Sequence, residues 1–194
     1  MNDTVNRYYL YDPRGSKGQL YVHLSLPYIN NFMLHPTGQP YKSNNGWVGF
    51  GLGLDYYYKR WQYISLFTSV VTDAFAPIGP IDHFGSYETM YSAYIGLSNN
   101  YKIDNLLLGY GLSLTKNTWE YNYIPSENEV DPVGKSIIDT NYALGFLFPM
   151  YYQFGRSFFA GVIYRPTFYR FSESNPFKYE HLISIDIGWK IRVK

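Results

Sequence analysis

An all-β fold, an eight-stranded antiparallel up-and-down transmembrane β-barrel, is what this 194-residue chain predicts, on three observations. Nearly every long segment alternates with a period of two residues rather than 3.6. In most of these segments one face carries large apolar side chains and the other glycine and small polar ones. The alternating segments are joined by long and short polar connections in turn, as in a barrel with longer loops at one end and tight turns at the other.

The first strand is read over Leu20 to Tyr28. The second, Trp47 to Tyr58, shows the design most clearly: Val48, Phe50, Leu52, Leu54, Tyr56 and Tyr58 point one way, and Gly49, Gly51, Gly53, Asp55 and Tyr57 the other. The third, Trp61 to Thr72, is ambiguous, because Ile64, Leu66 and Val70 compete with Tyr63, Phe67 and Val71 for the outer face. The fourth is placed over Ser86 to Ser98. In the fifth, Leu106, Leu108, Tyr110, Leu112 and Leu114 oppose Leu107, Gly109, Gly111, Ser113, Thr115 and Asn117. The sixth sets Thr140, Tyr142, Leu144, Phe146 and Phe148 against Asp139, Asn141, Ala143, Gly145 and Leu147. The seventh sets Phe158, Ala160, Val162, Tyr164 and Phe168 against Gly161, Arg165, Thr167 and Tyr169. The last, Ile183 to Val193, alternates Ile, Ile, Ile, Trp, Ile and Val with Ser184, Asp186, Gly188, Lys190 and Arg192.

The long connections fall at about Ile29 to Asn45, Asp73 to Gly85, Thr118 to Lys135 and Ser172 to Phe177. Tighter ones fall around Lys59-Arg60, Asn99 to Asp104 and Pro149 to Arg156. This parity puts both termini at the tight-turn end, the periplasmic side of such a barrel. The expected organisation is an N-terminal periplasmic segment over 1–17 and the barrel over 18–194. The opening Met1-Asn2-Asp3-Thr4 lacks the basic and apolar regions of a signal peptide, so Met1 is expected to be a start residue set before a mature sequence.

Composition explains why hydrocarbon is expected outside. Aromatic residues make up 21% of the chain, with 23 tyrosines, and charged residues only 16%, against roughly 25% in ordinary soluble domains. No run of about 18 apolar residues is present to form a membrane helix. A barrel needs none, since only alternate residues meet lipid. A net charge of +1 without basic runs excludes nucleic acid as a partner, and the absence of cysteine excludes thiol chemistry.

A soluble ligand-binding barrel would turn its large apolar residues inward. Here the charges argue against that. Asp55, Glu88, Asp139, Arg165, Asp186, Lys190 and Arg192 share the face of the small residues, and a basic residue against the bilayer midplane would cost about 2–4 kcal/mol. They are expected to form a lumen charge network, with Arg165 and Asp186 at similar heights as a buried ion pair. Trp47, Tyr56, Tyr58, Phe146, Phe148, Tyr164, Phe168 and Trp189 are expected to form aromatic girdles at the two interfaces.

These strands, the alternating connections and the final segment Ile183-Ser184-Ile185-Asp186-Ile187-Gly188-Trp189-Lys190-Ile191-Arg192-Val193 together resemble the OmpA-like and OmpX-like small outer-membrane barrels. The Tyr- and Asn-rich composition looks like envelope proteins of the Bacteroidetes. The resemblance implies a bacterial outer-membrane location, contact with outer-membrane lipids and lipopolysaccharide, and envelope partners met through the external loops or the barrel wall. One departure is the ending Val193-Lys194, where such barrels usually close on an aromatic residue.

Some small outer-membrane barrels modify lipid A as deacylases or acyltransferases, which directs a search for nucleophile and base. His83, Ser86 and Glu88 form the one suggestive cluster, where the second long connection enters the fourth strand. The motif Asp82-His83-Phe84-Gly85-Ser86 does not reproduce that of a lipid A deacylase of the PagL type. His181 and His23 read as structural residues, and no metal or cofactor spacing is present. The leading expectation is a non-enzymatic structural or partner-binding component of the envelope, or a subunit of a larger outer-membrane complex; a lipid A-modifying enzyme and a narrow pore are the alternatives.

Overall fold

A computed structural model describes residues 17–73, 85–124, 136–171 and 176–193. Among the described residues there are nine strand segments: β1 (Leu20–Leu34), β2 (Lys42–Gly46), β3 (Val48–Lys59), β4 (Gln62–Thr72), β5 (Gly85–Ile103), β6 (Leu106–Ile124), β7 (Ile137–Phe154), β8 (Phe158–Arg170) and β9 (Phe177–Arg192). From β3 to β9 each strand pairs antiparallel with its successor, and β9 pairs with β1 to close the ring. Closure pairs β1 and each of β3 to β9 on both sides, a requirement wherever hydrocarbon replaces water, while β2 pairs with β1 alone among the described residues.

The ring has eight staves because β2 and β3 are one strand broken at Trp47. Leu34 pairs with Lys42 and Asn30 with Gly46, and the same register resumes where Ser25 pairs with Gly51 and Leu20 with Tyr56. Across the break both partners change face. On β1, His23, Ser25 and Pro27 point inward below it, and Asn30, Phe32 and Leu34 above it. A register shift between Pro27 and Ile29 against β9 marks the same place. Each extra residue in a strand reverses the alternation beyond it.

Several strands run further than their sequence pattern marks. The connection read over Ile29 to Asn45 is mostly the β1–β2 hairpin, and β6 continues to Ile124. Asn99 to Ile103 lies in β5, and Pro149 to Phe154 in β7. Proline leaves its mark instead as a gap in the β6–β7 ladder, between the pairs Leu108–Met150 and Gly111–Leu147. The remaining turns at the end carrying the termini are short: Lys59 pairs with Gln62, Ile103 with Leu106 and Phe154 with Phe158. In the two-residue turn Asp104-Asn105, Asp104 adopts φ 52°, a conformation aspartate tolerates better than most residues.

The ambiguous third strand resolves with Ile64, Leu66 and Val70 outward and Tyr63, Phe67 and Val71 buried. The lumen is therefore not lined by small residues alone. Phe67 lies over the β3 glycines, and a Cβ built at Gly51 would sit 2.5 Å from its ring. Glycine rows on one strand make room for aromatic rings from the next. The result is two packed clusters inside the barrel. Tyr57, Tyr63, Phe67, Tyr94, Leu107, Leu147, Tyr151, Phe159 and Ile163 fill the half near the termini. Phe32, Leu34, Val71, Met90, Trp119 and Leu182 fill the other. Gly51→Val should cost about 1–3 kcal/mol by displacing the Phe67 ring, measured as a lowered urea midpoint of the barrel refolded in lipid vesicles.

The outer wall is hydrocarbon, with Phe50, Leu52, Leu54, Leu66, Val70, Ile95, Leu97, Leu112, Leu114, Ile185 and Ile191 all exposed. Aromatic residues gather at its rims. Near the termini Tyr58 donates to Asn99 Oδ1 at 2.8 Å, and Asn99 Nδ2 donates to the Tyr110 hydroxyl at 3.2 Å. Toward the opposite end the Tyr164 and Tyr179 hydroxyls meet at 2.7 Å. Phe146 departs from the girdle expectation: it lies in the middle of β7, opposite Leu112, with its ring tilted against that of Phe168.

Candidate functional site

The polar residues inside the barrel are arranged in layers along its axis. Nearest the termini, Lys190 on β9 and Asp55 on β3 form an ion pair at 2.5 Å, almost wholly buried. They meet across β1, where His23 pairs with Lys190 and Tyr21 with Asp55. Lys190 also donates to the Tyr63 hydroxyl at 3.0 Å and lies over that ring. His23 packs edge-on to Phe159 and against Phe67.

One layer further in, Asp186 accepts from Ser25 Oγ at 2.5 Å and from the Tyr151 hydroxyl at 2.7 Å. Arg165 does not pair with it. In the β8–β9 register Asp186 faces Gly161, while Arg165 faces Leu182, four residues away, roughly 13 Å along the strand. Arg165 reaches across the lumen instead, its guanidinium 3.7 Å from the centre of the Tyr94 ring.

The third layer closes the end opposite the termini. Glu180 is 1% exposed and accepts from Arg170, from Asn117 Nδ2 at 2.9 Å and from the His35 backbone N–H at 2.7 Å. Arg170 donates to the His35 carbonyl as well. The segment between β1 and β2 is thereby drawn over the mouth of the barrel. Its Thr37 is held from the far side by Asp139, whose Oδ2 accepts from the Thr37 N–H at 2.9 Å. His35 stacks on Tyr41 within it. At the root of the hairpin Lys42 meets Glu88 at 2.6 Å, and Trp119 Nε1 donates to the same carboxylate at 2.9 Å. Partial burial pushes the Glu88 carboxyl up, but these two hydrogen bonds and the nearby ammonium outweigh it and hold it below the ordinary glutamate range.

Of the seven residues expected in the lumen network, Asp55, Arg165, Asp186 and Lys190 are buried. Glu88 and Asp139 lie at the mouth, and Arg192 stands exposed at the other end, beside Tyr21. Arg170 and Glu180 belong to the buried set and were not singled out from the sequence. Glu180 follows if the closing alternation is extended back through Ser184 and Leu182. Arg170 does not, because a register shift between Thr167 and Tyr169 turns it inward against the parity of its strand.

The candidate hydrolytic cluster is only partly described. His83 lies outside the described residues, Ser86 is exposed, and Glu88 is engaged by Lys42 and Trp119. No group of three or more metal-binding side chains occurs among the described residues.

The closed ring, hydrocarbon wall and filled lumen define the fold of the small outer-membrane β-barrels. Among solved structures the chain is similar to Ail, the attachment invasion locus protein of Yersinia pestis, with a TM-score of 0.59 at 10% identity over 90% of this chain and 99% of that one. It also matches Neisserial surface protein A (TM-score 0.48, 14% identity, covering 89% and 96%) and the N-terminal β-barrel domain of Pseudomonas aeruginosa OprF (0.37, 13%, 90% and 100%). No family model matches the chain, and no curated protein matches it in sequence.

Proposed function

We propose that this protein is a non-enzymatic β-barrel of the bacterial outer membrane, with both termini periplasmic, that acts as a structural or partner-binding component of the envelope through its external rim. The observation that carries this reading is a lumen filled by two packed clusters and crossed by buried ion pairs toward each end, beneath strands that outrun the bilayer. Such an interior suits neither conduction nor a substrate pocket. β5 and β6 are each 19 residues long, roughly 48 Å when tilted as in such barrels, against an apolar band of about 25 Å. The excess stands beyond the membrane. There it exposes Tyr87, Ile137, Ile138, Phe171 and Phe177, side chains that water alone does not favour at a rim.

Photo-crosslinking amino acids placed at Tyr87, Ile138 and Phe177 in native cells test this. The expected result is one discrete envelope protein captured from all three sites. Capture of lipid alone at all three would overturn partner binding by the rim.

A further inference from the structure

The outer wall of the barrel is dented where β4 to β7 pass. A groove of about 510 Å³ runs there between Ile64, Leu97, Leu112, Phe146 and Phe148, with Ser98 and Gly111, which face each other across β5 and β6, in its floor. Its size falls within the roughly 300–1,000 Å³ of small-molecule sites. The sequence accounts for the dent. Pro149 cannot donate to the ladder, and β6 and β7 are unpaired between Leu108–Met150 and Gly111–Leu147. Gly111 brings no side chain to fill the place where the strands part. Left empty, such a groove forfeits the van der Waals contacts of its lining.

The end of the groove nearer the termini is polar, which a passing hydrocarbon chain does not require. Asn99 and Tyr110 close that end, on one rung with Ile64. An amide on a hydrocarbon-facing wall is costly unless its hydrogen bonds are met. Asn99 Oδ1 accepts from the Tyr58 hydroxyl and Nδ2 donates to Tyr110, which leaves one Nδ2 hydrogen to give. Beyond Tyr58 stands Lys59, its ammonium 5.8 Å from the centre of the Tyr58 ring and 5.2 Å from that of Trp61. Neither Lys59 nor the following Arg60 pairs with a carboxylate among the described residues, Asp104 of the neighbouring turn included.

From the groove toward the terminal rim the order is therefore apolar walls, a hydrogen-bond donor, then a cation set among aromatic rings. A glycerophospholipid presents acyl chain, ester carbonyl and phosphate in the same order. We propose that the groove seats one phospholipid of the leaflet nearer the termini. An acyl chain lies between Leu97, Leu112 and Phe146, an ester carbonyl accepts from Asn99 Nδ2, and the phosphate meets the Lys59 ammonium, a point charge suited to it. In the orientation proposed above, that leaflet is the periplasmic one. A second copy of the barrel seated here would cover the apolar walls but supply no anion to Lys59.

Native mass spectrometry of the detergent-solubilised barrel, titrated with dimyristoyl phosphatidylglycerol or with dimyristoylglycerol, tests the seat. Wild type should hold one phosphatidylglycerol about tenfold more tightly than the diacylglycerol. Lys59→Gln should bring the two lipids level, and Asn99→Leu should weaken both. Leu112→Trp, which fills the groove from the lipid side, should abolish both. Phosphatidylglycerol carrying a diazirine on its acyl chain should label Leu112, Phe146 and Phe148 in wild type. Should Leu112→Trp fail to fold, the label map and Lys59→Gln still decide. Equal binding of the two lipids by wild type, label spread evenly round the wall, or a dimer mass in place of a lipid adduct overturns the proposal.

Discussion

Lys190→Met should destabilise the barrel by about 3–5 kcal/mol, among the largest single-residue effects available in this chain. The side chain of Asp55 is fully buried, and Lys190 is the cation that meets it. Methionine matches the lysine stem in volume but leaves the carboxylate facing Tyr57, Tyr63 and His23 in a water-poor lumen. The loss comes from the stranded charge and not from missing packing. The double variant Lys190→Met with Asp55→Leu should therefore recover much of it, since a buried pair replaced by apolar groups is often neutral or better. Equilibrium urea unfolding in lipid vesicles measures both. A loss below about 1 kcal/mol in the single variant would mean that the pair is already hydrated.

That pair shows how far the sequence carried. Asp55 and Lys190 could both be placed inside from strand parity, because each alternates with residues that belong against hydrocarbon. Their partnership could not. It depends on β9 closing onto β1 and on the rung that puts His23 beside Lys190 and Tyr21 beside Asp55. Arg165 and Asp186 failed as a pair for the same reason, because inter-strand stagger separates residues that simple counting from the turns puts level.

Parity itself breaks where a strand takes an extra residue. The changes of face near Pro27 to Ile29 and near Phe168 leave no composition signal, and beyond them lie Asn30, Phe32 and Arg170, all buried against the pattern below. The aromatic filling of the lumen was hidden differently. Phe67 looks like a wall residue until the glycines of β3 are seen beneath it, and Tyr63 until its ring is seen stacked on Tyr57. Fold class and solvent were legible because they rest on averages over many residues; the closure of the mouth rests on a few long-range contacts.

The second large effect is expected at that mouth. Glu180→Gln removes the charge that holds Arg170 and weakens the acceptor for the His35 N–H and for Asn117. Arg170 is 1% exposed and would be left as a buried cation facing a neutral amide, at a cost of about 3–5 kcal/mol. The consequence is local as well as global. The segment between β1 and β2 loses its inner anchor, while Asp139 still holds Thr37 and Lys42 still meets Glu88. Hydrogen exchange in detergent should accordingly speed up at the His35 amide by at least tenfold more than at the amides of β5 and β6, which report the global loss alone. Asp139→Asn is the contrasting variant. Its bond to Thr37 is exposed, so exchange should rise at Thr37 and remain slow at His35. Equal acceleration at both amides in both variants would show that the segment opens as one unit and that Glu180 is not its separate anchor.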